Sequence, residues 1–101
     1  MIRTFLLSES DRDDKKYTVD EPDNPDFKRV HFGAQGYQSY PDHKNPLRKK
    51  AYILRHHKRE NWSKSGIDTA GFFSRWILWN KPSIEESIKD TEKRFGIKIV
   101  V

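Results

Sequence analysis

Residues 71–80, GFFSRWILWN, restrict the possible folds more than any other stretch of this chain. Read as a helix over residues 69–79, they place Phe72, Trp76 and Trp79 on one face, Phe73 and Ile77 on a second, and Leu78 on a third. A helix that is apolar around its whole circumference has to be buried on every side. In a chain of 101 residues there is room for one core, so this helix is expected at its centre, the alternative being a docking surface from which one Trp inserts into a neighbour. A sheet is needed on one side of it and further helices on the other.

The rest of the chain supplies those parts. Ile2, Thr4, Phe5, Leu6 and Leu7 form a β-prone run, residues 16–19 a second, and residues 27–32 alternate, with Phe27, Arg29 and His31 opposite Lys28, Val30 and Phe32. Together they predict an antiparallel meander, followed by a loop over 33–46. Asn45 and Pro46 have the chemistry of a helix cap and first turn. From there Leu47, Ala51 and Leu54 recur at i, i+4 and i+7, which predicts a core-facing stripe on a helix reaching about residue 59. Asp68 is the expected cap of the aromatic helix, and Pro82 ends it. Ser83-Ile84-Glu85-Glu86 predicts a capping box, with Ile84, Ile88, Thr91 and Phe95 as the buried stripe up to Gly96. The closing run, residues 97–101, has no partner except the sheet. The expected fold is α+β: a small antiparallel sheet of three to four strands covered by three helices. It forms a single domain over residues 1–101, with an acidic segment at 8–26 whose independent order the sequence leaves open.

Composition pulls in two directions. Apolar residues are 34% of the chain and charged residues 35%, a balance found in disordered proteins. Thirteen aromatic residues, three of them Trp, counter this because each buried ring removes a large apolar area from water. The absence of cysteine excludes disulfides, thiolate metal sites and a cysteine nucleophile, and fits an intracellular or virion protein. The apolar start is shorter than a signal peptide, and no segment approaches membrane-spanning length, so no membrane insertion is expected.

Charge is unevenly placed. Residues 9–26 hold eight of the fifteen acids and three bases, whereas residues 43–60 hold seven Lys or Arg, three His and one acid. Such polarity suits an anionic surface on one side, or head-to-tail pairing of copies. Along the predicted helix Arg48, Tyr52, Arg55 and Arg59 align as one stripe, with Lys44 and Lys49 nearby. Guanidiniums bind phosphate oxygens in a bidentate way, and a tyrosine ring can stack on a base. The same residues would equally serve an acidic protein partner, or simply form a solvated face. Trp62, in a polar loop, is the ring expected to dock a partner.

The histidines do not converge. His56 and His57 point about 100° apart on a helix and cannot share a metal, and His31 with Asp42 and His43 has no recognised ligand spacing. A metal-dependent nuclease with His43 as base and Glu60 or Asn61 as ligand is the best enzyme that can be assembled, and it lacks nearby carboxylates. No Gly-rich phosphate loop, nucleophile elbow or paired carboxylates occur. No enzymatic activity, cofactor or metal is expected.

KRVHFGAQGYQSY (28–40), HKNPLRKKAYILRHHKRENW (43–62) and TAGFFSRWILWNKPSIEESIKDTEKRF (69–95) stand in an order that resembles a family of small basic proteins encoded by large DNA viruses of algae and protists. That family usually carries Asp where Asn45 stands. Asn caps as well but has no charge, and the IKIVV tail lies outside the shared pattern. The resemblance implies a viral accessory protein with no assigned activity. The expected role is a non-enzymatic structural component of the virus particle, a minor capsid or core protein. Its partners would be larger capsid subunits or further copies of itself, in the virion and, during assembly, the host cytoplasm or nucleus. The alternative is a sequence-independent binder of DNA or RNA that uses the basic helix.

Overall fold

The structure is a computed structural model and describes residues 2–101. Strands β1 (Thr4–Glu9), β2 (Lys15–Asp20) and β3 (Val30–Ala34) form the antiparallel meander. β4 (Lys98–Val100) pairs with the other side of β1, parallel to it, in the order β3-β2-β1-β4. The sheet is therefore mixed, because parallel pairing needs a long crossover and everything between β1 and β4 provides one. β2 is an interior strand, and Glu21, which follows it, is buried in a two-pronged pair with the Arg3 guanidinium at 2.7 Å per contact. The acidic 8–26 segment thus contains the end of β1 and all of β2, with Glu21 tied to Arg3.

Alternation delivers one apolar face: Phe5, Leu7, Val19, Val30, Phe32 and Ile99 are all buried. Phe27 departs from the sequence expectation. It lies before β3, where a turn closed by its N–H donating to the Asn24 carbonyl (3.1 Å) brings its ring edge-on to Phe5 at 5.6 Å.

Four helices cover that face. α1 (Tyr40–His43) is a single turn inside the expected loop. α2 (Pro46–His56) and α4 (Ile84–Phe95) flank α3 (Ala70–Phe73), which continues as a π-helical turn over Ser74–Leu78. The aromatic helix is central, as its composition demanded: Phe72, Phe73 and Ile77 have no exposed surface. Phe73 meets Phe5 and Phe32 of the sheet at 5.9 and 5.8 Å, and Phe72 meets Phe95 of α4 at 4.9 Å. The cap is the Thr69 hydroxyl, which accepts from the Phe72 N–H, while Asp68 is exposed. In the π turn the Trp79 N–H donates to the Ser74 carbonyl, five residues back, which shifts the last residues of the helix around its axis.

α4 closes the end of that turn with polar side chains. Thr91 donates its hydroxyl to the Ser87 carbonyl (2.7 Å) and lies 3.2 Å from the Trp76 carbonyl, and the Ser87 hydroxyl accepts from the Lys81 N–H. Its Ser83 cap and the left-handed Gly96 that ends it stand where the sequence put them. Ile88 and Thr91 are buried and Ile84 and Phe95 half-buried, so the predicted stripe faces inward. No helix of the described residues is long and apolar enough to cross a membrane.

Candidate functional site

α2 forms where Asn45 and Pro46 predict it. The Asn45 carbonyl oxygen of the side chain accepts from the N–H groups of Leu47 (3.0 Å) and Arg48 (3.4 Å), and Pro46 takes the first turn. The helix ends at His56, so Lys58 and Arg59 lie in the following turn and Arg59 is outside the helical stripe.

The orientation of α2 is the main departure from the sequence expectation. Leu47 is 76% exposed and Leu54 62%, while Tyr52 is 6% exposed. The predicted core stripe faces water. Tyr52 lies flat on Trp79 at 4.5 Å with the planes 4° apart, against His56 at 4.3 Å, and parallel to Trp62 at 6.2 Å. The physical reason is a competing pattern: Lys49, Tyr52, Ile53 and His56 also recur at i, i+3, i+4 and i+7. A Tyr ring stacked between two indoles and an imidazole buries more surface than two leucines and an alanine, and the Lys49 stem adds to it by bringing its ammonium over the Tyr40 ring at 5.2 Å. Burial raises the Tyr52 phenol well above its ordinary value, with the Glu60 carboxylate contributing, and it lowers the Lys49 ammonium, helped by Arg75 and Lys81.

Tyr52 is therefore part of the packing and has no ring face open to a ligand. Trp62 is also half-buried. Its indole N–H donates to Glu60 (3.0 Å), its carbonyl accepts from the Trp76 indole, and Arg75 stacks over it at 5.4 Å. The remaining residues of the expected site do converge on the solvent side. Lys44, Arg48, Arg55 and Arg59 are exposed, together with Lys50 and Lys58, and Lys49 is half-buried. Five of the acids elsewhere are in ion pairs within the fold: Glu21 with Arg3, Asp20 with Arg29, Asp14 with Arg12, Asp42 with Lys16, Asp90 with Arg94. Among the described residues none of these pairs draws on a Lys or Arg between 44 and 59, so the exposed cations of this helix and its flanks face solvent without an acidic partner.

Beside the helix is a recess of about 270 Å³ lined by Tyr37, Gln38, Arg48, Ala51, Arg55 and Trp79. Gln38 accepts from the Arg48 guanidinium at 3.2 Å and fixes it at the rim. Tyr37 is 75% exposed, in a turn that Gly36 makes at a φ of +84°. Trp79 is half-buried, locked by Tyr52 and by His43 at 5.4 Å. A second recess of about 320 Å³ adjoins the first across Tyr37, Gln38 and Trp79, and runs between α2 and Phe32 and Leu78. Tyr37 and Trp79 were not singled out as site residues from the sequence. An aromatic ring in a Gly-rich loop was the available signal for Tyr37. Trp79 had none, since the π turn that aims it is not written in any periodicity.

His43, Glu60 and Asn61, the residues of the nuclease arrangement, are each engaged with other groups. His43 Nδ1 accepts from the Asn45 N–H at 3.0 Å, leaving its Nε2 buried without a partner, and burial followed by the Arg48 charge lowers its pKa. Glu60 is engaged by Trp62 and lies 3.5 Å from His56, and the Asn61 side chain is held by Ser63 and Ser65. No group of three His, Asp or Glu able to hold a metal occurs among the described residues.

Residues 6–56 match a family of unknown function, DUF5754. The chain belongs to that family. The matched part runs from β1 to the end of α2, so it contains Tyr37, Gln38, Arg48 and Arg55 and stops short of Trp79. No curated protein and no solved structure matches the chain.

Proposed function

We propose that this protein is a non-enzymatic nucleic-acid-binding accessory protein, which holds DNA or RNA by its phosphates, without sequence preference, on the outer face of α2. One observation carries the reading: Arg48, Lys50, Arg55, Lys58 and Arg59 are exposed together on and just after α2, and none of them is in an ion pair with an acid of the fold. Placing phosphates there replaces counterions and water and leaves internal ion pairs intact, which is how sequence-independent binding obtains its free energy. The acidic N-terminal third opposes this less than its composition suggests, because Asp14, Asp20 and Glu21 each face an arginine. The test is charge reversal: Arg48→Glu with Arg55→Glu abolishes binding of a labelled oligonucleotide while the circular dichroism spectrum is unchanged. Undiminished binding by that variant would end this reading.

A second reading is favoured by a different observation. Leu47 and Leu54 stand exposed on the same outward face between Lys50 and Arg55. An apolar ridge with basic flanks suits an acidic protein surface. That surface suits a structural role through protein contacts; with the resemblance to proteins of large DNA viruses, the role would be a minor capsid or core protein, in the virion and in host cytoplasm or nucleus during assembly. Its partners would be larger capsid subunits or further copies. Under that reading Leu47→Asp with Leu54→Asp, and not the arginine reversal alone, removes incorporation into particles.

A further inference from the structure

We infer that the recess between Tyr37, Trp79, Arg48 and Arg55 takes one unpaired nucleobase together with its phosphate, so that the protein prefers single strands to duplex. The inference rests on the nucleic-acid reading and specifies which form of nucleic acid the site accepts. The recess combines the three things such a ligand needs. Its aromatic surfaces are Tyr37, an exposed ring on a glycine turn, and Trp79, held rigid by Tyr52 at 4.5 Å and His43 at 5.4 Å. Its cations are Arg48, oriented by Gln38 at 3.2 Å, and Arg55, seven residues on along the same helix and so about 10 Å along its axis. Its volume, about 270 Å³, is close to the lower end of ordinary small-molecule pockets and suits a single planar ring system.

Stacking on an aromatic side chain needs a free base face, and a paired base inside a helix offers none. A duplex can reach only the arginines. A single strand reaches the arginines with its backbone and the rings with a base, and a rigid Trp79 costs little ordering on binding.

Fluorescence anisotropy with labelled oligothymidylate, the same length of duplex, and thymidine monophosphate, unlabelled oligothymidylate or polyglutamate as competitors tests this on the full chain. The single strand binds more tightly than the duplex. Tyr37→Ala weakens the single strand by about tenfold, as loss of one stacked base does, leaves duplex binding unchanged, and is rescued by Tyr37→Phe. Tyr37 is largely exposed, so the fold survives the change. Competition by the monophosphate places the specificity in one nucleotide, and competition only by unlabelled oligothymidylate places it in base and extended backbone together; both support the site. If Tyr37→Ala changes neither affinity while the double arginine reversal lowers both, the recess inference fails and the nucleic-acid reading stands. If neither oligonucleotide binds, or only polyglutamate competes, both fail and an acidic protein takes their place.

Discussion

Tyr52→Ala destabilises this protein far more than Leu54→Ala, although a plain helical-wheel reading of α2 puts them the other way round. Tyr52 is 6% exposed and stacked on Trp79, His56 and Trp62. Truncating a buried aromatic side chain costs about 3–5 kcal/mol, of which aromatic stacking contributes about 0.5–1.5 kcal/mol beyond area. Leu54 is 62% exposed, and the area it loses on truncation is worth less than about 1 kcal/mol. Against a total stability of about 5–15 kcal/mol, the first change removes a large part and the second a small one. Urea denaturation followed by circular dichroism reads the difference. With an m-value of about 1.5 kcal/mol/M, Tyr52→Ala lowers the midpoint by roughly 2–3 M and Leu54→Ala by less than about 0.7 M. A Leu54→Ala midpoint loss equal to or larger than that of Tyr52→Ala would show that α2 packs on its leucine face and would remove the exposed basic face with it.

Gly33→Ala loses about 2 kcal/mol or more, because Gly33 holds a φ of +80° and a Cβ there would stand 2.7 Å from Leu78 Cδ1; thermal unfolding checks it. Glu21→Gln breaks a part-buried two-pronged pair with Arg3 and costs about 1–2 kcal/mol at pH 7. The Arg3 contact holds the Glu21 carboxyl below its ordinary value, so its contribution is present above the usual glutamate pKa of about 4.3 and is lost as pH falls through the lower folded-state value. The parent and variant unfolding curves should converge only in strong acid. His43 behaves in the same direction for a different reason: burial and Arg48 lower its pKa, so the unfolded chain binds the proton more readily. Stability therefore falls as pH drops below about 6.5, and His43→Gln lessens that loss in denaturation midpoints taken between about pH 7 and 5.

Much of the fold was legible because local chemistry and tertiary packing agree. Asn45 and Pro46 start a helix, Ser83 and Gly96 bracket another, and the aromatic run 71–80 is the core that its composition required. Two of the features that were not legible were decided by parts of the chain outside the segment concerned. α2 carries two stripes of equal periodicity, and the choice between them was made by Trp79 and Trp62, residues far along the chain whose rings stack on Tyr52. The parallel entry of β4 follows from the direction in which α4 returns the chain to the sheet, which no pattern within residues 97–101 records. The candidate site divides in the same way. Its cations are visible as a run of bases, whereas the aromatic partner that the helical stripe predicts is Tyr52. The structure buries Tyr52 and puts Tyr37 and Trp79 beside Arg48 and Arg55 instead.

The salt dependence of oligonucleotide binding tests the central claim most directly. If Arg48, Arg55 and a neighbouring cation each neutralise one phosphate, affinity for a single strand falls roughly twentyfold between about 50 and 200 mM salt. The Arg48→Glu, Arg55→Glu variant should lose both the binding and most of that slope. Absence of binding at the lower salt concentration, or an affinity indifferent to salt, would contradict phosphate recognition by α2 and turn attention to the Leu47–Leu54 ridge and a protein partner.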